Sequence, residues 1–119
     1  MADKKKVVVL VRRSPLNSVK NAEALRHAVG QTLAENQVTA ILLDAAVWLA
    51  LPMSPEIIGG GLIQKHLDTL PLLGAKVKVE AESLERYGID RGKVMKGIEV
   101  ISREEVVTEI TEAEVVIPF

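Results

Sequence analysis

Three apolar runs in this chain each end in residues whose side chains can do chemistry. Arg12-Arg13-Ser14-Pro15, with Asn17 just beyond, follows Val7-Val8-Val9-Leu10-Val11. Two guanidinium groups, a hydroxyl and a helix amino terminus are the groups that hold phosphate, sulfate or a carboxylate. The same residues also make an ordinary solvated turn, shaped by Ser14 and Pro15. Asp44 closes the second run, where it either binds a ligand or caps the next segment. Glu80 follows the third. Burial would raise its pKa and fit it for acid–base work; otherwise it is a carboxylate at a helix start. Neither acid has a visible nucleophile or metal beside it. No Gly-x-Gly-x-x-Gly or P-loop spacing is present, which argues against a nucleotide.

Other chemistries are excluded outright. The chain has no cysteine, so it forms no disulfide and has no thiolate ligand or thiol nucleophile. Its two histidines, His27 and His66, are far apart and fit no zinc spacing. His66 sits beside Leu67 and Leu70 and reads as a packed or half-exposed residue rather than a catalytic one; His27 falls on the charged side of a helix. No metal and no cofactor is expected.

The elements that position these residues follow from periodicity. A β-branched run with no polar alternation, Lys6–Val11, reads as a strand buried on both faces. A helix begins near Asn17 or Ser18 and ends at Asn36, with Ala22, Leu25, Val29 and Leu33 as its buried stripe. Gly30 inside it suggests close packing. Val38–Leu43 is the second strand. Ala45–Leu51 is too apolar for a solvated loop and reads as a short helix or turn. Pro52, Pro55 and Gly59-Gly60-Gly61 make the next stretch irregular.

A helix from about Gly61 to Leu73 stops at Gly74. Strand three, Ala75–Val79, alternates Lys76-Val77-Lys78-Val79 and so predicts one exposed face. A helix over Glu82–Tyr87 stops at Gly88. Ile98–Ile101 is a strand, Ser102 with Glu105 forms a capping box, and Glu104–Thr111 is the last helix. Glu114–Ile117 is the fifth strand. Strands alternating with helices predict one domain over residues 1–119, a three-layer α/β/α sandwich on a five-stranded, mostly parallel sheet. In such sheets ligands bind beyond the carboxyl ends of the strands. Arg12, Arg13, Ser14, Asn17 and Asp44 all fall there, and so does Glu80.

Composition narrows the partners. Fifteen basic and sixteen acidic residues leave a net charge of −1, which makes no general case for nucleic acid or an anionic membrane. No run approaches the eighteen or so apolar residues of a membrane span, and Val7–Val11 is too short for a signal peptide. A cytoplasmic protein is expected. Val47, Trp48, Leu49, Leu51 and Met53 form the richest apolar cluster outside the strands. They read either as core under a loop or as a contact surface.

The order of these features resembles the DsrE/DsrF-like sulfur-relay family across almost the whole chain. The likeness is carried by Arg-Arg-Ser-Pro after strand one, Ala22-Glu23-Ala24-Leu25-Arg26, Asp44-Ala45-Ala46-Val47, Leu72-Leu73-Gly74, Ser83 to Asp90, and the ending Ala113–Phe119. It is nearest to the DsrF/TusC branch. The resemblance implies a flavodoxin-like sheet, assembly into trimers or hexamers, and a part in passing persulfide sulfur between proteins.

In the DsrE/TusD subunits the persulfide cysteine stands just after strand three. Val79 and Glu80 match that position here, and neither can carry sulfur. The resemblance therefore implies a non-catalytic subunit that supports a cysteine-bearing partner, in tRNA 2-thiouridine formation or sulfur oxidation. Its expected partners are DsrE/TusD-like and DsrH/TusB-like subunits, or further copies of itself, and a small sulfur-carrier protein. The alternative is a homo-oligomeric binding protein of the same fold that holds a small anion or cofactor at the strand-one turn.

Overall fold

The computed structural model describes residues 5–12, 18–51 and 67–119. Strand β1 is Lys6–Val11, helix α1 is Ser18–Leu33 and strand β2 is Gln37–Leu42. A 3-10 helix, Asp44–Ala50, follows. Residues 67–72 are helical (α2). Then come β3 (Lys76–Glu80), α3 (Ala81–Arg86), a 3-10 turn at Arg91–Lys93, β4 (Ile98–Ile101), α4 (Arg103–Glu112) and β5 (Val115–Pro118). The strands form one five-stranded sheet in the order β4-β3-β2-β1-β5, and every pairing is parallel.

The unbroken apolar run of β1 is explained by its place. It pairs with β2 on one side and β5 on the other, with Val7 opposite both Val38 and Val115. Both of its faces are covered, so Val7, Val8, Val9 and Val11 are all buried. From β1 to β4 the chain steps in one direction. Right-handed crossovers then place α1, α2 and α3 on one face of the sheet. The step from β4 to β5 runs back across the sheet and puts α4 on the other.

The core divides accordingly. Leu25, Ala28, Val47, Leu49 and Leu84 pack on Val7, Val9 and Val11, whereas Val106 of α4 packs on Val8, Ile41 and Ile101. Gly74 and Gly88 stop their helices as expected, with φ of +83° and +66°. In that left-handed conformation they let Ala75 N–H reach the Leu70 oxygen and Ile89 N–H reach the Leu84 oxygen. Ser102 and Glu105 form the predicted capping box.

Four expectations need correction. Strand β3 has no solvated face along its length: Lys78 and Glu80 are buried and only Lys76 is exposed. Helix α4 roofs that face and supplies counter-charges. Lys78 Nζ donates to Glu109 at 2.8 Å and lies 3.7 Å from Glu99. Lys6 flanks the pair, 3.6 Å from Glu109 and 3.2 Å from Glu112. The hydrogen bond from Lys78 to Glu109 outweighs desolvation and raises the Lys78 pKa. Burial pushes the Glu109 carboxyl up, but Lys78 and Lys6 hold it below its ordinary value.

Leu33, expected on the buried stripe of α1, is 70 % exposed. The helical period places it about 140° round the axis from buried Ala28. Gly30 marks no close packing, since a Cβ there would meet nothing within 4 Å. The boundaries of β2 and β3 also differ by a residue. Gln37 N–H bonds the Lys5 oxygen, and Glu80 pairs with Ile101 at the end of β3.

Two predictions follow from this packing. Gly30→Ala removes backbone freedom from the unfolded chain at an open helical site. It should stabilise the fold by about 0.5–1 kcal/mol, read from the shift in urea midpoint. Glu109→Ala strands the Lys78 ammonium in a site between the exposed and fully buried limits, and should cost about 2 kcal/mol. Adding Lys78→Met to Glu109→Ala should recover most of that loss; a double variant no more stable than the single one would contradict the pairing.

Candidate functional site

The carboxyl ends of β2, β3 and β4 meet around a buried carboxylate. Glu80 is the last residue of β3 and 3 % exposed. Its Oε1 accepts from Ser83 Oγ at 2.6 Å and from Arg103 Nη2 at 3.0 Å, and its Oε2 accepts from Arg103 Nε at 3.4 Å. Ser83, also buried, stands in the first turn of α3. Arg103 opens α4 just after β4, and its backbone N–H donates to the Glu82 carboxylate. The strand order makes this arrangement possible. Glu80 is paired with Ile101, so the residue that starts α4 emerges beside the carboxylate.

From β2 the contribution is backbone. Asp44 N–H donates to Ser83 Oγ at 2.9 Å. Asp44 holds φ at +51°, a left-handed conformation that an Asp tolerates at some cost. The expected capping role is not seen. Leu43 is the cap residue of the 3-10 helix, and no side chain caps it. Glu80 likewise stands at the cap position of α3 without a side-chain cap bond, because its carboxylate is turned to Ser83 and Arg103.

Chemically, the network is closed. Ser83 Oγ accepts one bond and donates another, and both Glu80 oxygens are engaged. Burial pushes the Glu80 carboxyl up, but the hydrogen bonds from Arg103 and Ser83 outweigh it and hold the pKa below its usual value. A buried carboxylate held in its ionised form is a poor general acid. Its role is to tie the ends of β2, β3 and β4 together. Ser83 and Arg103 were missed in the sequence. The Glu80-x-x-Ser83 spacing was a legible local signal. Arg103, 23 residues away, becomes a partner only once β4 is known to lie beside β3.

The other candidate residues lie elsewhere. Arg12 is exposed, and its Nε donates to the Phe119 backbone oxygen at 3.2 Å. It stands two strands from Glu80, on the order of 10 Å away. Arg13, Ser14, Asn17, Met53 and His66 fall outside the described residues. His27 places its ring 5.3 Å from that of Phe119. Val79, beside Glu80, is fully buried.

The predicted contact cluster is split. Val47 and Leu49 are buried in the chain's own core and offer no surface, and Leu51 is half-buried against it. Trp48 is 42 % exposed. Among the described residues, no group of three or more His, Asp or Glu could hold a metal ion, and no helix is long and apolar enough to cross a membrane.

A family model for the DsrE/DsrF-like family matches residues 5–119. The chain belongs to the DsrE/DsrF-like family. The fold agrees with solved structures. The ychN protein from E. coli superimposes with a TM-score of 0.81 at 22 % identity, covering 97 % of this chain and 99 % of that one. A protein of unknown function from Methanobacterium thermoautotrophicum gives a TM-score of 0.71 at 15 % identity, covering 98 % and 100 %. At these identities the likeness is one of fold. No curated protein matches the chain.

The network predicts an acid response. A depressed carboxyl contributes stability that is complete above the unfolded value of about 4.3 and is lost as pH falls through the lower folded value. Arg103→Ala removes the cation that offsets burial. The Glu80 pKa should then rise, and acid unfolding should begin at higher pH. Side-chain carboxyl NMR and circular dichroism across pH 2–7 (about the range over which carboxyl groups titrate) read both effects, with Arg103→Lys restoring part of the loss. An unchanged acid midpoint in Arg103→Ala would refute the assignment.

Proposed function

We propose that this chain is a non-catalytic member of a sulfur-relay assembly, supporting persulfide transfer by a cysteine-bearing partner of the same fold. One observation carries the reading. In the DsrE/TusD subunits of the family that the sequence resembles, the persulfide cysteine stands just after strand three. Here that position falls at Val79 and Glu80, and Glu80 is a buried carboxylate clamped by Ser83 and Arg103. A persulfide carrier needs an accessible thiolate that can be attacked by the next thiol. The chain has no cysteine anywhere, and both Val79 and Glu80 are buried.

The role left to such a subunit is structural. It holds the cysteine-bearing chain and shapes the surface where a small sulfur carrier docks. The sulfur would serve tRNA 2-thiouridine formation or sulfur oxidation, the two processes in which the resembling complexes work. The reading ascribes no catalytic residue and no cofactor to this chain, and no direct contact with the membrane or with nucleic acid.

The decisive experiment recovers the tagged protein from its own cells at native expression and identifies what accompanies it. One or more small α/β chains should co-purify, at least one with a cysteine after its third strand. That cysteine should label as a persulfide when the cells are fed thiosulfate. Recovery of this chain with no cysteine-bearing companion would overturn the reading. It would favour a self-standing binding protein with its ligand at Arg12–Asn17.

A further inference from the structure

Helix α4 leaves part of the second face of the sheet uncovered. It starts beside Glu80 at the carboxyl end of β3 and finishes beside Lys6 at the amino end of β1. The amino ends of β2 and β3 therefore lie beside the helix rather than under it. A recess of about 270 Å³ opens there. The strand register builds its floor. Lys6 stands opposite Gln37, and Thr39 opposite Lys76, and all four line the recess. Glu109 of α4 supplies a wall, and Gly74, in its left-handed turn, lines the recess without a side chain.

Two groups on this floor are left over from folding. Thr39 is 7 % exposed, and its hydroxyl has no hydrogen-bond partner among the described residues. A hydroxyl that loses water without a replacement bond is costly, so a group reaching it from the recess would make a bond the fold leaves unmade. Lys76, its neighbour across the strands, is exposed and has no ion pair among the described residues. Glu109, the acid of the lining, is already shared between Lys78 at 2.8 Å and Lys6 at 3.6 Å. Glu99 and Glu112 are the outer partners of the same two lysines, and neither lines the recess. The lining thus carries two ammonium groups, Lys6 and Lys76, against one carboxylate.

We infer that this recess binds a small hydroxycarboxylate, with its carboxylate on Lys76 and its hydroxyl on Thr39. The unpaired ammonium takes the anionic end, while the Thr39 hydroxyl and the Gln37 amide can each donate to or accept from further oxygens. The size agrees. At about 30 Å³ per water, the recess has room for on the order of nine waters, and it lies just below the roughly 300–1,000 Å³ of sites for drug-sized ligands. A bare inorganic oxyanion would fill only a fraction of that space. The site lies at the opposite edge of the sheet from Arg12 and Glu80. The inference goes beyond the sulfur-relay reading and does not depend on it; its test uses the purified chain alone.

Amide NMR of the whole chain tests it, with lactate, malate or citrate added from about 0.1 to 10 mM, the range of weak small-ligand binding. At least one of these acids should give saturable shifts centred on Gln37, Thr39 and Lys76. It should bind several-fold more tightly than its counterpart without the hydroxyl (propionate, succinate or tricarballylate). Lys76→Ala should weaken binding about tenfold or more, the loss expected for a charge-assisted hydrogen bond. Thr39→Val separates ligand binding from a structural role. Without ligand it should be at least as stable to urea as the wild type, because no bond within the protein is lost. Its preference for the hydroxylated acid should vanish.

No saturable shift with any of the three acids would overturn the inference. So would shifts centred on Arg12 and Phe119 at the other edge, or binding unchanged in Lys76→Ala. Inorganic phosphate binding as tightly as the best acid would assign the recess to a bare oxyanion and overturn it equally. A Thr39→Val variant that keeps the preference, or that loses stability without ligand, would show the hydroxyl to be engaged elsewhere and would also overturn it.

Discussion

The second face of the sheet is roofed by one helix, and much of the remaining structure answers to that constraint. Three connections lie on the first face because the chain steps steadily from β1 to β4. Only the return from β4 to β5 crosses the second. A single amphipathic helix cannot cover five strands with apolar side chains. Where α4 meets β3 it buries Lys78 and Glu80, and such charges are tolerable only when paired. Glu109 pairs with Lys78, and Arg103 with Glu80. The two ion pairs sit six residues apart on one short helix and fix its position at two points. Val106, between them, supplies the apolar contact with Val8, Ile41 and Ile101.

The same constraint shapes the carboxyl edge, where an α/β sheet ordinarily offers a site. A free carboxylate at the end of β3 would be open to ligand chemistry. Here the start of α4 delivers a guanidinium to it, and the start of α3 delivers a hydroxyl. Asp44 adopts a left-handed conformation, which brings its N–H to that hydroxyl. The edge is thus locked by its own side chains across three strands. A position that could have been reactive acts as a structural tie, which suits a chain without a thiol.

Much of this was legible in the sequence, for physical reasons that differ from element to element. Unbroken apolar runs identified β1 and β2 because parallel strands bury both faces. Gly74, Gly88 and the Ser102–Glu105 box marked helix ends because their chemistry is local. Lys78 was misread, since alternation along one strand carries no information about what covers it. Arg103 was missed for the same reason, its partner being set by strand order. The Val47–Leu51 cluster was ambiguous because the segment is apolar all round. Only the 3-10 turn decides that Val47 and Leu49 face the sheet and Trp48 faces out.

That outward tryptophan bears on how family membership and chemistry fit together. With Glu80 held by Ser83 and Arg103 at the end of β3, other distinctive residues among those described lie on the outside of the first layer and along α4. Both are elements whose inner sides are already used, Val47 and Leu49 by one core cluster and Val106 by the other. Their outer sides are therefore not needed to hold the fold. The Trp48–Tyr87 pair under Arg86 on one outer side, and an acidic helix with the exposed Val107 on the other, are features that folding alone does not require.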